Sequence, residues 1–408
     1  MGTGKSSAAI TYLNEHPHDK FIYITPYLEQ AARIKKNCPD LNFIEPSDKI
    51  SEYQFKKSLH TIALIEEGKN IATTHQSFRG YAPETLEMIR EKGYSLIIDE
   101  NLDVLEQFSI HPDDVQLAVD AGYIKENNGV FSISNTSYHG TALRDLFYTI
   151  RSRDLVKISD DDDGSDGCMF YWVLTPELIL SFKEVFVLTY LFEAQSLHHL
   201  FEIYHIPYEY IGVHKYEDGT YHFGELPSYT PEYLSHLKDM IHILDNKKMN
   251  EVGDDYYAMS KSWFERGEDG VEQLKKNVYN CFRNIWCDIP ADRRMWGSYN
   301  GAFTQVRGKG YAKGFVTFNA KATNAYRDRY ALVYIANVFM NANERRFYKM
   351  HGIETDQDIY ALSVMVQWIW RSALRDGGEV LLYIPSRRMR TILENWINSF
   401  SEEEETHE

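Results

Sequence analysis

Short runs of consecutive apolar residues punctuate the chain, and stretches with the 3.6-residue period of an amphipathic helix fill the intervals between them. Phe21-Ile22-Tyr23-Ile24-Thr25, closed by Pro26, has the length and composition of a buried strand, and 27–36 has the pattern of a helix. Ile71-Ala72-Thr73-Thr74 is a second strand, 84–91 a helix, and Tyr94-Ser95-Leu96-Ile97-Ile98 a third strand that runs into Asp99-Glu100. Another apolar run lies at 184–191. Strands alternating with helices predict a doubly wound parallel sheet, so the fold class is α/β. Between 108 and 180 the alternation gives way to polar, acidic, turn-rich sequence that reads as an insertion. A second series begins after about residue 200. It has a strand at 208–213, a largely helical stretch over 230–295 with Trp263, Phe264, Phe282 and Trp286 as core anchors, and strands at 314–318, 331–335 and 379–384. The expected organisation is a first lobe over 1–200 carrying the insertion, a second lobe over 201–398 with a helical insertion at 230–295, and an acidic tail at 399–408. No repeat of solenoid period is present.

The 408 residues are enough for two or three domains. A net charge of −17 argues against a surface that coats nucleic acid wholesale, yet leaves room for a local basic channel. The acidic runs at 160–163 and 402–405 read as solvated loop and tail. Cys38, Cys168, Cys281 and Cys287 show no CxxC spacing and no histidine at metal spacing, which points to a reduced chain without structural zinc. His198-His199 sits in a helical pattern and reads as surface or core. No apolar stretch reaches the roughly 20 residues needed to span a bilayer. The N-terminus does not read as a signal peptide, because its first residues serve a loop; the expected location is the cytoplasm, with no membrane partner.

That loop carries the first piece of chemistry. Gly2-Thr3-Gly4-Lys5-Ser6-Ser7 is the second half of a G-x-x-x-x-G-K-[ST] phosphate loop. Backbone amides around Gly4 would face phosphate, Lys5 would neutralise the β/γ oxygens, and the Ser6 hydroxyl would ligate Mg²⁺. The loop's first glycine and the strand that feeds it would fall before residue 1. The first lobe is therefore expected to lack its first strand, from an upstream start or a truncated copy. The second piece is Asp99-Glu100 at the end of its apolar run. There Asp99 would hold Mg²⁺ and Glu100 would polarise the water that attacks a γ-phosphate. The third is the segment 360–376, where Gln367, Arg371 and Arg375 recur at i, i+4 and i+8. On a continuous helix they share one face, from which an arginine can reach a γ-phosphate as charge develops.

Gly-Thr-Gly-Lys-Ser, Ile-Ile-Asp-Glu and Gln-Trp-Ile-Trp-Arg-Ser-Ala-Leu-Arg resemble motifs I, II and VI of superfamily 2 helicases. Thr25-Pro26 is similar to motif Ia, 73–78 to the next DNA-contacting motif, Leu188-Thr189-Tyr190 to motif III, and 321–329 to motif V. The start of the chain and the segment after Asp99-Glu100 resemble herpesvirus origin-binding-type helicases. Residues 323–390 resemble replication helicases of bacteriophages and mobile elements. The resemblance implies two RecA-like lobes with parallel sheets, ATP and Mg²⁺ as nucleotide and cofactor, and movement along single-stranded or forked DNA during replication in a bacterial host. A replication initiator or a single-strand-binding protein would be the partner. It implies Lys5, Asp99, Glu100, Gln367, Arg371 and Arg375 as catalytic residues. Thr25, Thr74, Gln76, Ser77, Thr323, Asn324, Arg387 and Arg388 would be nucleic-acid contacts. Trp370 stands where the family pattern has glycine before its first arginine, and the second arginine is one residue further on, so the finger stays open between Arg371 and Arg375. The alternatives to a helicase are a nucleic-acid-stimulated ATPase switch or motor that separates no strands, and an inactive remnant that only binds partners.

Overall fold

The computed structural model describes residues 3–127, 129–135, 137–138, 140–159, 168–229, 236–267, 270–320 and 325–405. The chain divides into two compact units. The first holds 4–229 together with 342–355, and the second holds 230–341 and 356–408. The division thus falls after Tyr229, about thirty residues beyond the boundary expected from the pattern, and a short later segment returns to the first unit.

The first unit is built on a parallel sheet of four strands, β1 (Lys20–Thr25), β2 (Ile71–Thr74), β3 (Tyr94–Asp99) and β9 (Val185–Leu188), in the order β2-β1-β3-β9. The apolar runs form these strands because nearly every residue of β1 and β3 is buried on both faces. Helix α1 (Lys5–Glu15) packs through Ala8, Ala9 and Leu13, and its small alanines permit close approach to the sheet. It stops at His16, which precedes Pro17 and is steered away from helical backbone. Helices α2 (Leu28–Asn37), α3 (Lys57–Glu66) and α4 (Pro83–Lys92) follow. The last begins with proline in its first turn and ends on Gly93 in left-handed backbone (φ 68°), as helix-end chemistry dictates. Phe21, Tyr23, Ala31, Ile34, Phe43 and Ile97 join α1 in one apolar cluster. Among the described residues no strand precedes α1.

The stretch expected as an insertion folds as an antiparallel sheet of its own: β4 (Leu105–Phe108), β5 (Ile124–Asn127), β6 (Val130–Ile133), β7 (Asp154–Ser159) and β8 (Cys168–Val173), ordered β4-β8-β7-β6-β5. Two helices, Pro112–Asp120 and Arg144–Ile150, supply Val115 and Leu146 to a core shared with Phe131, Leu155, Phe170 and Trp172. After β9 come helix α5 (Ser196–Ile203) and the hairpin β10 (Gly212–Lys215) and β11 (Tyr221–Gly224). The expected strand over 208–213 begins only at Gly212. Tyr208 and Tyr210 are exposed and pack edge to face on one another rather than extending the ladder. Phe223 of the hairpin stacks on Phe186 of β9 and tilts against Tyr12 of α1.

The helix Ala342–Met350 also belongs to this unit and sets its Glu344 beside Asp103, in the loop after β3. Burial, with the Asp103 carboxylate behind it, pushes the Glu344 carboxyl from 4.5 up to about 7. An acid whose folded pKa lies above its unfolded value stabilises the fold while protonated. That contribution is complete below pH 4.5 and is lost as pH rises through about 7. Glu344→Gln is therefore expected to melt higher than the parent at pH 8, by up to about 3 kcal/mol, and to match it at pH 4. Thermal melts of both proteins across that range test it, and a difference that stays constant with pH would count against this placement of the charge.

The second unit is a parallel sheet of β12 (Ile241–Ile243), β13 (Arg294–Gly297), β14 (Ala331–Tyr334) and β15 (Val380–Tyr383), ordered β12-β15-β14-β13. Its helices include α6 (Gly270–Asn280), α7 (Gln357–Ile369) and α8 (Arg387–Glu405). Trp263, Phe264, Phe282 and Trp286 are all buried, in a cluster with Trp296, Tyr311, Val333 and Tyr383, so the expected anchors do hold this core. The strand expected at 314–318 is reduced to one bridge, Trp296 to Phe315, with Val316 and Phe318 donating to the Trp296 and Ser298 carbonyls. A 3₁₀ turn, Ala312–Gly314, occupies its start, because Gly314 must pass close to the Arg294 carbonyl, where a Cβ would lie 2.7 Å away. Both units are thus α/β with parallel sheets, as the apolar runs predict.

Candidate active site at the phosphate loop

The register of the first sheet brings the ends of its strands to one level. Thr25 pairs with Thr74, Ile24 with Ile98, and Asp99 with Leu188. The carboxyl ends of parallel strands are where ligands of open α/β sheets sit, and helix α1 starts there. Gly4, just before α1, has φ 81°, backbone that suits glycine, and its carbonyl accepts from the amides of Ser7 and Ala8. A Cβ on Gly4 would lie 2.2 Å from the Tyr221 ring of β11, so a side chain here fails on conformation and on space. The first turn of α1 has no side-chain cap and no acidic residue. The backbone amides at this helix start and the positive end of the helix dipole suit an anion.

Residues 93 positions apart in sequence meet at this helix start. The Ser6 hydroxyl donates to Asp99 Oδ1 at 3.3 Å. The Tyr23 hydroxyl donates to the other carboxylate oxygen at 2.8 Å, and His75 Nε2 lies 3.0 Å from the Asp99 carbonyl. Desolvation raises the Asp99 pKa, opposed by the hydrogen bonds from Tyr23 and Ser6 and then by the charges of Arg33 and Lys5. Desolvation lowers the Lys5 pKa, with Asp99 opposing it. The Lys5 ammonium lies 5.8 Å from the centre of the Tyr190 ring. Two opposite charges are thus held short of water around a helix start, a setting in which a bound polyanion gains strongly from electrostatics. Glu100 follows Asp99 with φ 66°, a left-handed conformation that costs a non-glycine residue about 1–2 kcal/mol. Its amide donates to the Leu188 carbonyl of β9 at 3.2 Å.

Tyr23 and Tyr221 are not singled out by the sequence, and His75 and Tyr190 stand there only inside helicase-like motifs, with no part in the phosphate site. The first lies inside an apolar run, where a tyrosine reads as core. The others gain their places only when β2, β9 and the hairpin are assembled.

The expected DNA contacts of this unit lie at the same strand ends. Thr25 is buried and its hydroxyl donates to Gln30 Oε1. The Thr74 hydroxyl caps the one-turn helix His75–Phe78 by accepting from the Ser77 amide. Gln76 is exposed, with its carbonyl oxygen accepting from Arg79. Gly2, Thr323 and Asn324 lie outside the described residues.

In the second unit the expectation of one row of Gln367, Arg371 and Arg375 is corrected. Helix α7 stops at Ile369, and Arg375 stands on a separate 3₁₀ turn, Ala373–Asp376. Ser372 makes the break: its hydroxyl donates to the Ile369 carbonyl and accepts from the Leu374 amide, competing with the helical ladder. Gln367 is half-buried. Arg371 is buried, with Nη1 donating to the Gln367 carbonyl at 3.0 Å, whereas Arg375 is exposed. The expectation that Arg388 grips phosphate is corrected too. Arg388 is buried, ion-paired to Asp358 at 2.8 Å, and donates to Asn337 Oδ1 and the carbonyls of Val338 and Gln357. It also stacks on Phe339. Its neighbour Arg387 is exposed.

Residues 235–397 match the protein family described as the YonV C-terminal Rossmann-like domain, in agreement with the parallel sheet of the second unit. Among solved structures, S. tokodaii Xpd4 aligns with 97% of this chain and 92% of its own at 12% identity, with a TM-score of 0.47. An apo XPD structure aligns with 94% and 90% at 10% identity and a TM-score of 0.40. The SPbeta prophage-derived uncharacterized protein YonV of Bacillus subtilis (strain 168) is 33% identical over 408 residues, covering 98% of this chain and 97% of that protein. Identity at that level along nearly the full length of both chains means that this protein belongs to the YonV family.

Proposed function

We propose that the chain is a nucleic-acid-dependent ATPase of a prophage or phage element that moves along single-stranded DNA as a helicase or translocase. The observation that carries the reading is the assembly of Gly4, Lys5 and Ser6 at the start of α1 against Asp99-Glu100 at the end of β3. ATP is taken through its phosphates by the amides of Gly4 to Ser6 and by Lys5. Ser6 and Asp99, already hydrogen-bonded to one another, fit Mg²⁺ as its ligands; the ion supplies charge neutralisation at the phosphates. Glu100 orients the attacking water. Arg375 is the better candidate for an arginine finger than Arg371, because its side chain reaches solvent while Arg371 is tied to the turn before it. Thr74, Gln76 and Ser77 of the first unit, and Arg387 of the second, are the candidate contacts to a nucleic-acid backbone, with Thr323 and Asn324 added by resemblance. Thr25 is spent on Gln30 and serves to shape the turn. The prophage origin of the B. subtilis relative supports a role in mobile-element DNA metabolism. No helix among the described residues is long and apolar enough to cross a membrane.

The test is ATP hydrolysis by the 408-residue chain with and without single-stranded DNA. The expected result is turnover that rises at least about tenfold on adding DNA. Stimulated turnover with no separation of a forked duplex would make the protein a translocase or switch. No turnover, with no nucleotide-dependent rise in melting temperature, would sink the ATPase reading.

A further inference from the structure

Outside the phosphate loop, one cluster of side chains has the chemistry and spacing of a transition-metal site. His198, His199 and Glu202 lie on α5 at i, i+1 and i+4, so Glu202 projects between the two rings. Both imidazoles bring Nδ1 near the same carboxylate oxygen, Glu202 Oε2, at 3.4 Å from His198 and at 3.3 Å from His199, the latter a hydrogen bond. Two ligands of a tetrahedral ion with bonds of about 2.0–2.1 Å stand about 3.3–3.4 Å apart. The two nitrogen–oxygen separations therefore match edges of such a tetrahedron, and the three donor atoms all lie within 4.8 Å of one another.

The surroundings favour a ligand over a plain hydrogen-bond pair. His198 and His199 are only 8% and 4% exposed, while the Glu202 side chain is 40% exposed, which leaves an entry path and room for water as fourth ligand. His198 Nε2 is hydrogen-bonded to the Tyr208 hydroxyl at 2.9 Å, an outer contact of the kind that orients a ligand ring; with Nε2–H donating to that hydroxyl, Nδ1 offers its lone pair. Buried His198 Nδ1 has no hydrogen-bond partner among the described residues, since its approach to Glu202 lacks hydrogen-bond geometry. Tyr348 packs 4.7 Å from the His199 ring and Phe192 5.2 Å from that of His198, walling the donors with aromatic surface.

We propose that His198, His199 and Glu202 bind one divalent transition-metal ion of the zinc class, through two imidazole Nδ1 atoms and one carboxylate oxygen. Two nitrogens and one oxygen, with water completing a tetrahedron, suit zinc better than magnesium or calcium, which take oxygen ligands and higher coordination. The ion would pin the end of α5 against its aromatic neighbours. The site is distinct from the magnesium ligands at the phosphate loop and does not depend on the ATPase reading.

The test uses the untagged full chain, stripped with chelator and dialysed against Zn²⁺, with metal content measured by mass spectrometry. Co²⁺ substitution follows, read by visible d–d absorption. The expected result is one Zn²⁺ per chain and a tetrahedral Co²⁺ spectrum. Glu202→Gln, at the exposed corner, should keep the fold by circular dichroism yet bind Zn²⁺ at least about tenfold more weakly. His199→Asn should lose the Co²⁺ spectrum. No stoichiometric Zn²⁺ in the parent chain, or binding and spectrum unchanged in both variants, would overturn the proposal and leave the cluster as two histidines sharing a carboxylate.

Discussion

Lys5→Ala is expected to lower ATP turnover by about three orders of magnitude or more while the protein still folds. The first turn of α1 offers backbone amides and no side-chain cap, so Lys5 supplies the side-chain positive charge at the helix start. Its ammonium is desolvated, which lowers its pKa, and only the Asp99 carboxylate opposes that shift. A group in that position is held at a cost in the nucleotide-free protein: a lysine with a depressed folded pKa weakens the fold increasingly as pH falls and the group charges. Removing it should therefore leave the melting temperature unchanged or slightly higher at neutral pH. The large loss should appear when phosphate arrives, since a partly buried cation beside a polyanion gains far more than one in water. Two readouts separate the cases: the turnover rate, and the rise in melting temperature on adding ATP with Mg²⁺. Parent chain and variant should melt alike without nucleotide and differ with it. An ATP-induced rise that survives in Lys5→Ala would place the nucleotide elsewhere and remove the basis of the proposed function.

Much of this arrangement is legible in the sequence because it depends on local rules. Apolar runs of four to six residues became β1, β2, β3, β14 and β15 almost as bounded, since a strand buried on both faces leaves no alternation to confuse the reading. The phosphate loop and the Asp99-Glu100 pair are visible because both chemistries are set by adjacent residues. What escaped depends on contacts between distant segments. Tyr23 reads as core until the register sets its hydroxyl on Asp99. Tyr221 gains meaning only when the hairpin folds against α1 and its ring meets Gly4. The arginine row failed for a local reason that helical period ignores: the Ser372 hydroxyl bonds the Ile369 carbonyl and the Leu374 amide, and the helix ends at Ile369. Arg388 reads as a nucleic-acid contact beside Arg387, yet Arg387 takes the exposed place and Arg388 turns inward to Asp358 and Asn337. The His198-His199 pair reads as surface or core because the third donor and the Tyr208 hydroxyl that holds the ring are recognised only in three dimensions.

Glu100→Gln should give the second large effect and the more informative one. Turnover is expected to fall by about 10²–10⁴-fold while ATP still raises the melting temperature, because the amide keeps the shape of the side chain but cannot take a proton from water. The backbone adds an independent handle. Glu100 sits at φ 66°, left-handed space that L residues populate at a cost of about 1–2 kcal/mol, while its amide is tied to the Leu188 carbonyl. Strain of that kind persists where the surroundings over-determine it, and a carboxylate placed beside Asp99 at a strand end is such a place. Glu100→Gly removes the strain and the carboxylate together. Glycine's greater unfolded-state freedom takes back about 0.5–1 kcal/mol, so the net gain in stability should be small but positive. The pair of variants then separates chemistry from conformation. If Glu100 is the water-orienting base, both lose turnover, and only the glycine variant melts higher. If Glu100→Gln retains most of the activity, the residue is there for the turn, and the base must be sought among the other groups that face the phosphate loop.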